Sequence, residues 1–222
     1  MNDLQHRIAR THRITSSRIG TIATGSFKAW NTLAQKMREA KPAPINSKRR
    51  CGVPSLDWGH EHEDWLCAQF WLRHPEYDMH DERWCWWHDP ANKVLWEMCG
   101  TSPDRTLYQD VAGFPKRVSG VEAKNPFDPD IHRHYREAGG LPPEYKAQVM
   151  WHMIVTDAPN WWFVSGDQRI ADDLNYFEVL IERDPGYESL LMHKVNRFVG
   201  GYLNCETFQP TEYNRATYED IF

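Results

Sequence analysis

A carboxylate and an amine lie two residues apart in the segment VSGVEAK, and an aspartate precedes them in the chain. If this segment is a β-strand, Glu122 and Lys124 project from one face while Val121 and Ala123 point into the core. Asp104, at the end of the preceding strand, would then lie beside Glu122. Two carboxylates supply the hard oxygen ligands that Mg²⁺ or Mn²⁺ prefers, and an adjacent lysine can orient or deprotonate a water molecule and offset the charge of a phosphate.

This D…ExK pattern is weak by itself, because it arises often by chance and an exposed strand with a Glu-Lys pair would give the same spacing. A helical segment favours a shared site. Glu63 lies on one helical stripe with three apolar residues, so a carboxylate occupies a face that should be buried. These apolar residues are Leu66, Cys67 and Phe70. Buried carboxylates are costly unless they are paired or bound to metal.

A second helical segment, EYKAQVMWHMIVT, places Gln148 on a face with Tyr145, Val149 and His152. Polar groups from four separate elements would converge if these faces meet. The spacing alone does not show that they do.

The elements that would position these residues follow from the spacing of apolar side chains. Residues 17–39 are predicted as two short helices, broken near Gly25 and Ser26, and residues 56–74 as one helix. Residues 83–99 are predicted as a hairpin, because aromatic-rich runs flank the turn formers at 88–92. Strands are then predicted within 102–124, a helix over 144–156, strands over 161–164 and 176–182, and a helix over 187–203. This order predicts a mixed α/β fold with a central sheet flanked by helices.

The length of 222 residues favours one compact domain over the whole chain. The Pro-rich residues 41–50 are the best candidate for a mobile connection. They divide the chain into an N-terminal helical part (1–50), a catalytic core (51–205) and a C-terminal tail (206–222).

The formal net charge of −5 argues weakly against nucleic acid as a partner. The distribution of charge matters more than the total, and two basic runs could form a local phosphate-binding surface or simply a solvated face. The first run contains Arg7, Arg10, Arg13 and Arg18, and the second Lys48, Arg49 and Arg50.

No stretch approaches the roughly 18 apolar residues that a membrane span needs, and the N-terminus lacks a signal-peptide core. We therefore expect no membrane association and a cytoplasmic location. The five cysteines occur singly, without a CxxC pair, which favours reduced and mostly buried thiols.

Several segments resemble one family in the same order. They are RTHRITSSRIG, WGHEHEDWLCAQF, SPD at 102–104, GVEAKNPF at 120–127, EYKAQVMWHMIVTDAPNWWFV from Glu144, and YFEVLIERD. Together they resemble the lambda-type alkaline exonucleases and YqaJ-like viral recombinases of the PD-(D/E)xK nuclease superfamily. The resemblance implies a restriction-endonuclease-like core.

The resemblance implies a metal site and a catalytic lysine. By position, Asp104 and Glu122 correspond to metal ligands, the Ala123 carbonyl to a backbone ligand, and Glu63 to the helix glutamate that completes the site. Lys124 corresponds to the catalytic lysine. Two Mg²⁺ ions are implied in each site, and Mn²⁺ can substitute. A buried lysine near metal is expected to have a lowered pKa.

The resemblance also implies residues that contact DNA. Gln148 corresponds to a glutamine that holds the attacking water and scissile phosphate, with Tyr145 one helical turn away. Arg10, Ser17 and Ser102 correspond to a pocket for the terminal 5′-phosphate. A surface arginine and a turn serine remain the alternatives for Arg10 and Ser102.

Leu56 corresponds to an apolar wedge that separates the strands, with a core leucine as its alternative. Three departures affect this comparison. Arg105 replaces the glycine that usually follows the metal-binding aspartate, and the segment before Glu122 is longer, with a turn expected at AGFPKR. Asp130 stands where the family has an arginine, so Arg133 and Arg136 are the substitute candidates for 5′-phosphate binding.

The activity implied by the resemblance is processive 5′–3′ digestion of double-stranded DNA from a free end. The products would be 5′-mononucleotides and a 3′ single-stranded overhang for strand annealing. A ring-shaped homotrimer and a single-strand annealing recombinase are the implied partners, and the tail 206–222 is a candidate contact for the recombinase.

Two alternatives remain open at this point. A PD-(D/E)xK endonuclease of the restriction or junction-cutting type would use the same metal site. A non-enzymatic zinc module would use histidines and cysteines, although their spacing fits no common zinc pattern. Its candidates are His60, His62, His80 and His88 with Cys85 and Cys99.

Overall fold

The computed structural model describes residues 3–41, 53–171 and 173–209. The helices are α1 (Asp3–Thr11), α2 (Ser16–Thr24), α3 (Phe27–Glu39), α4 (Pro54–Arg73), α5 (Lys93–Met98), α6 (Pro129–Ala138), α7 (Pro143–Thr156) and α8 (Pro185–Leu203). The strands are β1 (Asp78–His80), β2 (Cys85–Trp86), β3 (Gly100–Thr101), β4 (Arg105–Val111), β5 (Phe114–Lys124), β6 (Asn160–Gly166) and β7 (Tyr176–Glu182). The basic run at 48–50, Cys51 and tail residues 210–222 lie outside the described residues.

A five-stranded sheet in the order β1-β4-β5-β6-β7 forms the centre of the fold. Only the β5–β6 pairing is parallel within this sheet, and the other pairings are antiparallel. Strands β2 and β3 form a separate small sheet. Helices cover the central sheet, which confirms the predicted mixed α/β class.

The two faces of β5 contact different helices. Val121 and Ala123 pack in a cluster with Leu66, Cys67 and Phe70 of α4. The alternate residue Glu122 points to the opposite side, where α7 lies. The alternation predicted from VSGVEAK therefore places the carboxylate between the sheet and α7.

The larger core lies on the α7 side of the sheet and joins both ends of the described chain. Apolar residues of α2, α3, α7 and α8 form one buried cluster. Phe208, from the start of the predicted tail, is buried in it against Trp30 and Phe198. The N-terminal helices thus share the core of the sheet-bearing part.

Local sequence explains where the helices that carry the site begin and end. Proline occupies the first turn of α4 and α7, where its missing N–H costs no helical hydrogen bond. Helix α7 ends at Asp157, whose φ of 56° is left-handed. Its backbone N–H bonds the Met153 carbonyl and closes the last turn.

The predicted hairpin over residues 83–99 is wrong. Strand β2 pairs with β3 at Gly100–Thr101, and residues 93–98 form α5 instead of a returning strand. Asn92 starts this helix, because its side chain accepts a hydrogen bond of 3.2 Å from Leu95 N. The other predicted helices and strands are confirmed, whereas α1, α6 and β1 were not predicted.

The turn between β4 and β5 is shorter than the predicted AGFPKR. It consists of Ala112 and Gly113, with φ values of 56° and 86°. Two positive φ values are typical of the tight turn that suits the twist of a hairpin. Phe114 follows at once as the first residue of β5 and is exposed.

The described cysteines are Cys67, Cys85 and Cys99, which are buried, and Cys205, which is exposed; all four are free. Burial raises the pKa of the Cys67 thiol. None of the helices in residues 3–41, 53–171 and 173–209 is both long enough and apolar enough to cross a membrane.

Candidate active site

Asp104 lies immediately before β4 and reaches the neighbouring strand. The register pairs Arg105 with Val121, which brings Asp104 beside Glu122. Asp104 Oδ2 accepts a hydrogen bond of 2.7 Å from the backbone N–H of Ala123. The carboxylates that the sequence placed on separate strands therefore meet at one end of the β4–β5 pairing.

Glu122 is fully buried, and both of its oxygens are occupied. Oε1 accepts hydrogen bonds from Lys124 Nζ and, at 2.5 Å, from Gln148 Nε2. Oε2 accepts one from His152 Nε2 at 2.8 Å. A buried carboxylate is tolerated when it is paired and hydrogen-bonded in this way.

Helix α7 contributes one polar stripe to the site. Tyr145, Gln148 and His152 recur at helical spacing and face β5, while Val149 and Met150 are buried in the core. The Lys124 ammonium lies 5.2 Å from the centre of the Tyr145 ring, within reach of a cation–π interaction. The predicted Tyr145 and Gln148 thus lie beside the predicted catalytic lysine.

The charges of these residues are strongly coupled. Burial alone would raise the pKa of Glu122, but the charge of Lys124 and the hydrogen bond from His152 outweigh burial and hold that pKa at about 2. Burial, followed by the negative charge of Glu122, raises the pKa of Asp104 well above its ordinary value. Glu122 is therefore ionised and paired, whereas burial and the charge of Glu122 disfavour the ionised form of Asp104.

The lowered pKa of Lys124 that is expected near a metal ion stays a prediction, because in the metal-free protein this pKa is raised. Burial would lower this pKa, but the negative charges of Glu122 and Asp104 outweigh burial and raise it. Without another cation beside these carboxylates, Lys124 stays protonated.

Glu63 of α4 borders the site from the other side of the sheet and is half-buried. Arg105 Nη1 lies 3.6 Å from Glu63 Oε1, and Arg105 Nη2 donates to Asp64 Oδ1 at 2.7 Å. Burial raises the pKa of Glu63, while Arg105 and His60 oppose that rise. The glutamate predicted to complete a metal site is thus held by the arginine that replaces the family's glycine.

The oxygen donors of the site suit a divalent cation if a backbone carbonyl is counted together with the side-chain carboxylates. In the described residues, no group of three or more Asp, Glu, His or Cys side chains is arranged to hold a metal ion. Asp104 and Glu122 are adjacent, and the Ala123 carbonyl, 3.4 Å from Lys124 Nζ, is a third oxygen donor. Burial and, after it, the negative charge of Glu122 raise the pKa of Asp104, and a cation there would relieve the repulsion between the two carboxylates.

A cleft of about 310 Å³ opens beside Asp104 and Glu63. Four arginines line it: Arg7, Arg10, Arg83 and Arg105. Ser102 also lines the cleft, and its hydroxyl lies 3.1 Å from His6 Nε2. The cleft therefore places these arginines, the Ser102 hydroxyl and the His6 imidazole beside four carboxylates, those of Glu63, Asp64, Asp81 and Asp104.

The residues predicted for a 5′-phosphate pocket separate into two groups. Arg10 lies in the cleft with Ser102, and Arg10 Nη2 donates to Ser17 Oγ at 3.4 Å. Burial lowers the pKa of Arg10, and the charge of Asp104 opposes this effect. These three residues are brought together.

Arg133 and Arg136 are not brought to the site. Both lie on α6, where Arg133 pairs with Asp130 on the solvent-exposed side. Among the hydrogen bonds and ion pairs of the described residues, none joins either arginine to the carboxylates or to the cleft. Their proposed role as substitutes for the family's arginine finds no support here.

Leu56, in the first turn of α4, is 56% exposed. This exposure excludes the alternative of a core leucine. Trp58, two positions further along the helix, contacts Phe127 with the ring centres 6.3 Å apart, and Phe127 is also exposed.

Two residues of the site, His152 and Thr101, were not predicted to have a role. His152 was noted on the face of Gln148, but its bond to Glu122 depends on the packing of α7 against β5. Thr101, in the short strand β3, bonds the other nitrogen of His152 at 2.8 Å. The signal available in the sequence was the four-residue spacing between Gln148 and His152.

The zinc alternative is not supported. His62 Nδ1 bonds the Trp58 carbonyl at 2.8 Å, and His88 Nδ1 bonds the Ile154 carbonyl at 3.0 Å. His80 bonds Asp78, and the thiols of Cys85 and Cys99 are buried. The candidate ligands are dispersed, consistent with the lack of a three-ligand cluster in the described part of the chain.

Solved exonuclease structures share this fold. An alkaline exonuclease (LHK-Exo) from Laribacter hongkongensis superposes with a TM-score of 0.70 and 22% identity, covering 98% of this chain and 99% of that chain. LHK-Exo in complex with dAMP gives a TM-score of 0.72 and 21% identity at the same coverage. A phage related exonuclease from Haemophilus somnus 129PT gives a TM-score of 0.53 and 12% identity, covering 88% of this chain and 94% of that chain.

No curated protein matches the chain. A family model does match: that of the YqaJ-like viral recombinase domain, over residues 6–159. The family and the exonuclease structures support a nuclease that acts on DNA. Because the matched residues form most of the chain and contain Asp104, Glu122, Lys124 and Gln148, this protein belongs to the YqaJ-like viral recombinase domain family.

Proposed function

We propose that this protein is a Mg²⁺-dependent exonuclease that digests double-stranded DNA from a free end in the 5′ to 3′ direction. It would release 5′-mononucleotides and leave a 3′ single-stranded overhang. The observation that carries the proposal is the meeting of Asp104, Glu122, Lys124 and Gln148 beside a cleft lined by four arginines. Carboxylates suit a divalent cation, and the arginines suit phosphates.

Asp104, Glu122 and the Ala123 carbonyl would hold one cation, and Glu63 would contribute once it leaves Arg105. Two bound Mg²⁺ ions, or Mn²⁺ in their place, would polarise the scissile phosphate and lower the pKa of bound water. Asp104 and Glu122 would fix the position of the reacting phosphate relative to the sheet.

Lys124 and Gln148 would act on the water and the phosphate. Lys124 presently donates to Glu122, and a cation on that carboxylate would weaken this pairing and free the ammonium. Its charge would then offset the phosphate, and proton loss from Nζ would become easier. Gln148 can hold the water through its amide, because α7 fixes the side chain against Glu122.

The cleft beside Asp104 would hold the end of the DNA. Arg10, Ser17 and Ser102 would bind the terminal 5′-phosphate through charge-assisted hydrogen bonds. The exposed Leu56 would separate the terminal base pairs, and Tyr145 would lie near the scissile phosphate. LHK-Exo has been solved in complex with dAMP, which supports a nucleotide-sized product site.

Processive digestion would require the enzyme to enclose its substrate, and we propose a homotrimeric ring for this purpose. We also propose a single-strand annealing recombinase as the partner that receives the overhang. Both proposals rest on family membership. Light scattering of the purified protein tests the first, and a mass of one or two chains would contradict it.

Digestion of labelled duplexes tests the activity and its polarity. A linear duplex labelled at one 5′ end is expected to lose the label as a mononucleotide in Mg²⁺, and EDTA should abolish the reaction. The same duplex labelled at the 3′ end should keep its label while the labelled strand shortens from its 5′ end. Rapid cutting of closed circles would instead favour an endonuclease.

A further inference from the structure

His152 is enclosed by partners on both ring nitrogens. The side chain is fully buried, with Nε2 2.8 Å from Glu122 Oε2 and Nδ1 2.8 Å from Thr101 Oγ1. The ring lies parallel to that of Trp161, with centres 4.9 Å apart and an angle of 7°. Contacts from three elements therefore fix both the position and the rotation of the imidazole.

The chemistry of the partners fixes which nitrogen carries a proton. An ionised carboxylate only accepts hydrogen bonds, so Nε2 must donate to Glu122. In the neutral ring, Nδ1 is then an acceptor, and the Thr101 hydroxyl donates to it. Glu122 thus selects the tautomer of His152, and the Thr101 hydroxyl adapts to it by donating to Nδ1.

As a result, the two oxygens of Glu122 have different partners. Oε2 is engaged by His152 from inside the core, whereas Oε1 faces Lys124 and Gln148. A carboxylate held by one oxygen cannot rotate freely. The fold then determines the directions in which the lone pairs of Oε1 point.

We propose that His152 is a positioning residue that clamps Glu122 so that Oε1 is the oxygen presented to a divalent cation, with Thr101 holding the imidazole in the required orientation. This inference rests on the proposed function, because it assumes that Glu122 binds the ion. Hydrogen bonds to a ligand from outside the coordination sphere commonly change metal affinity or activity by about 10- to 100-fold.

Gly120 leaves the space in which the Trp161 ring stacks on His152. A Cβ at this position would lie 2.1 Å from the Trp161 ring, so only glycine leaves space for the indole that stacks on His152. The glycine, the indole and the imidazole form one packed stack behind Glu122. The geometry therefore depends on the core and not on a flexible surface contact.

The test compares His152→Leu, His152→Gln and the wild type. Calorimetric titration with Mn²⁺ alone is expected to show a 10- to 100-fold loss of affinity in His152→Leu. His152→Gln should recover most of it, because its amide N–H can reach Glu122. In digestion assays, kcat should fall in His152→Leu while KM for DNA changes little.

Met153→Ala is the matched control for damage to α7. Met153 is the neighbouring residue and is fully buried in the core, so its loss should lower thermal stability without changing Mn²⁺ affinity. Wild-type Mn²⁺ affinity in His152→Leu would overturn the inference while leaving the proposed function intact. Failure of the wild-type protein to bind Mn²⁺ would overturn both.

Thr101→Val gives an independent test if His152→Leu does not fold. The substitution keeps the shape of the side chain and removes the hydroxyl that bonds Nδ1. A several-fold loss of Mn²⁺ affinity is expected, because Nδ1 then lacks its partner and the imidazole is held less firmly against Glu122. Unchanged affinity in this variant would overturn the role of the clamp.

Discussion

Arg105 Nη1 lies 3.6 Å from Glu63 Oε1, so a residue that departs from the family pattern holds a predicted metal ligand. The pair competes with any cation for the same carboxylate. Arg105→Gln is therefore expected to raise the affinity of the DNA-free protein for Mn²⁺, by about 5-fold if removal of the charge is worth roughly 1 kcal/mol. Calorimetry measures the change. Arg117→Gln, which removes an arginine paired with Glu82, is the control and should leave the affinity unchanged.

Lys124→Ala should abolish cleavage while DNA binding persists. Proton transfer by a positioned side chain typically contributes about 10²- to 10⁴-fold, so the single-turnover rate in Mg²⁺ should fall by at least about 100-fold. Glu122 keeps its bonds to Gln148 and His152 in this variant, so the fold should survive. DNA binding is measured by fluorescence anisotropy in EDTA. Near-normal turnover would contradict the role of the lysine.

Arg10→Ala should remove the preference for a 5′-phosphorylated end. Wild-type protein is expected to digest duplexes with 5′-phosphate faster than those with 5′-hydroxyl, and the variant should digest both at the slower rate. The loss should be about 10-fold, corresponding to one charge-assisted contact. Arg133→Ala is the matched control, because Arg133 is exposed and paired with Asp130. An equal effect of both substitutions would contradict the assignment of the cleft.

Asp104→Asn should stabilise the metal-free protein at neutral pH. Since burial and Glu122 raise the pKa of Asp104 in the folded state, the ionised form costs stability above that pKa. The penalty grows as pH rises from the ordinary aspartate range and vanishes below it, where the carboxyl is protonated in both states. The expected gain at pH 8 in EDTA is about 1 kcal/mol, and it should disappear near pH 3.

Urea denaturation at the two pH values measures this difference. The amide oxygen of the variant can still accept the bond from Ala123 N, so the local backbone should be preserved. A lower free energy of unfolding for Asp104→Asn at pH 8 would contradict the prediction.

Gly120→Ala should destabilise the fold. The added Cβ would lie 2.1 Å from the Trp161 ring, which is buried and has no room to move aside. Overpacking of this kind costs about 1–3 kcal/mol. Gly200→Ala is the control, because a Cβ there meets nothing within 4 Å. Thermal unfolding of both variants provides the comparison.

Part of the fold was predictable because its pattern is local. The alternation in VSGVEAK predicted the two faces of β5, and the helical stripes predicted which sides of α4 and α7 are buried. Asn92 shows the limit of this reasoning. Aromatic residues on both sides of a turn suggested a hairpin, but the side chain of Asn92 caps a helix and thereby overrides the strand propensity of its neighbours.

The composition of the site was predictable only in part. Glu122, Lys124 and Gln148 were predicted and lie in contact. Arg133 and Arg136 were placed by analogy, and the structure keeps them apart from the cleft. The contacts of His152 and Arg105 depend on how α7 and α4 meet the sheet, which no local pattern specifies.

The burial of Phe208 also joins a late part of the chain to α3. Its backbone exchanges two hydrogen bonds with the side chain of Asn31, which lies 177 positions earlier. Contacts between such distant parts of a chain form late, because their loop entropy must be overcome first. A ribosome-bound chain that stops short of residue 208 lacks these bonds, and α3 in that chain should be more sensitive to protease than in the released protein.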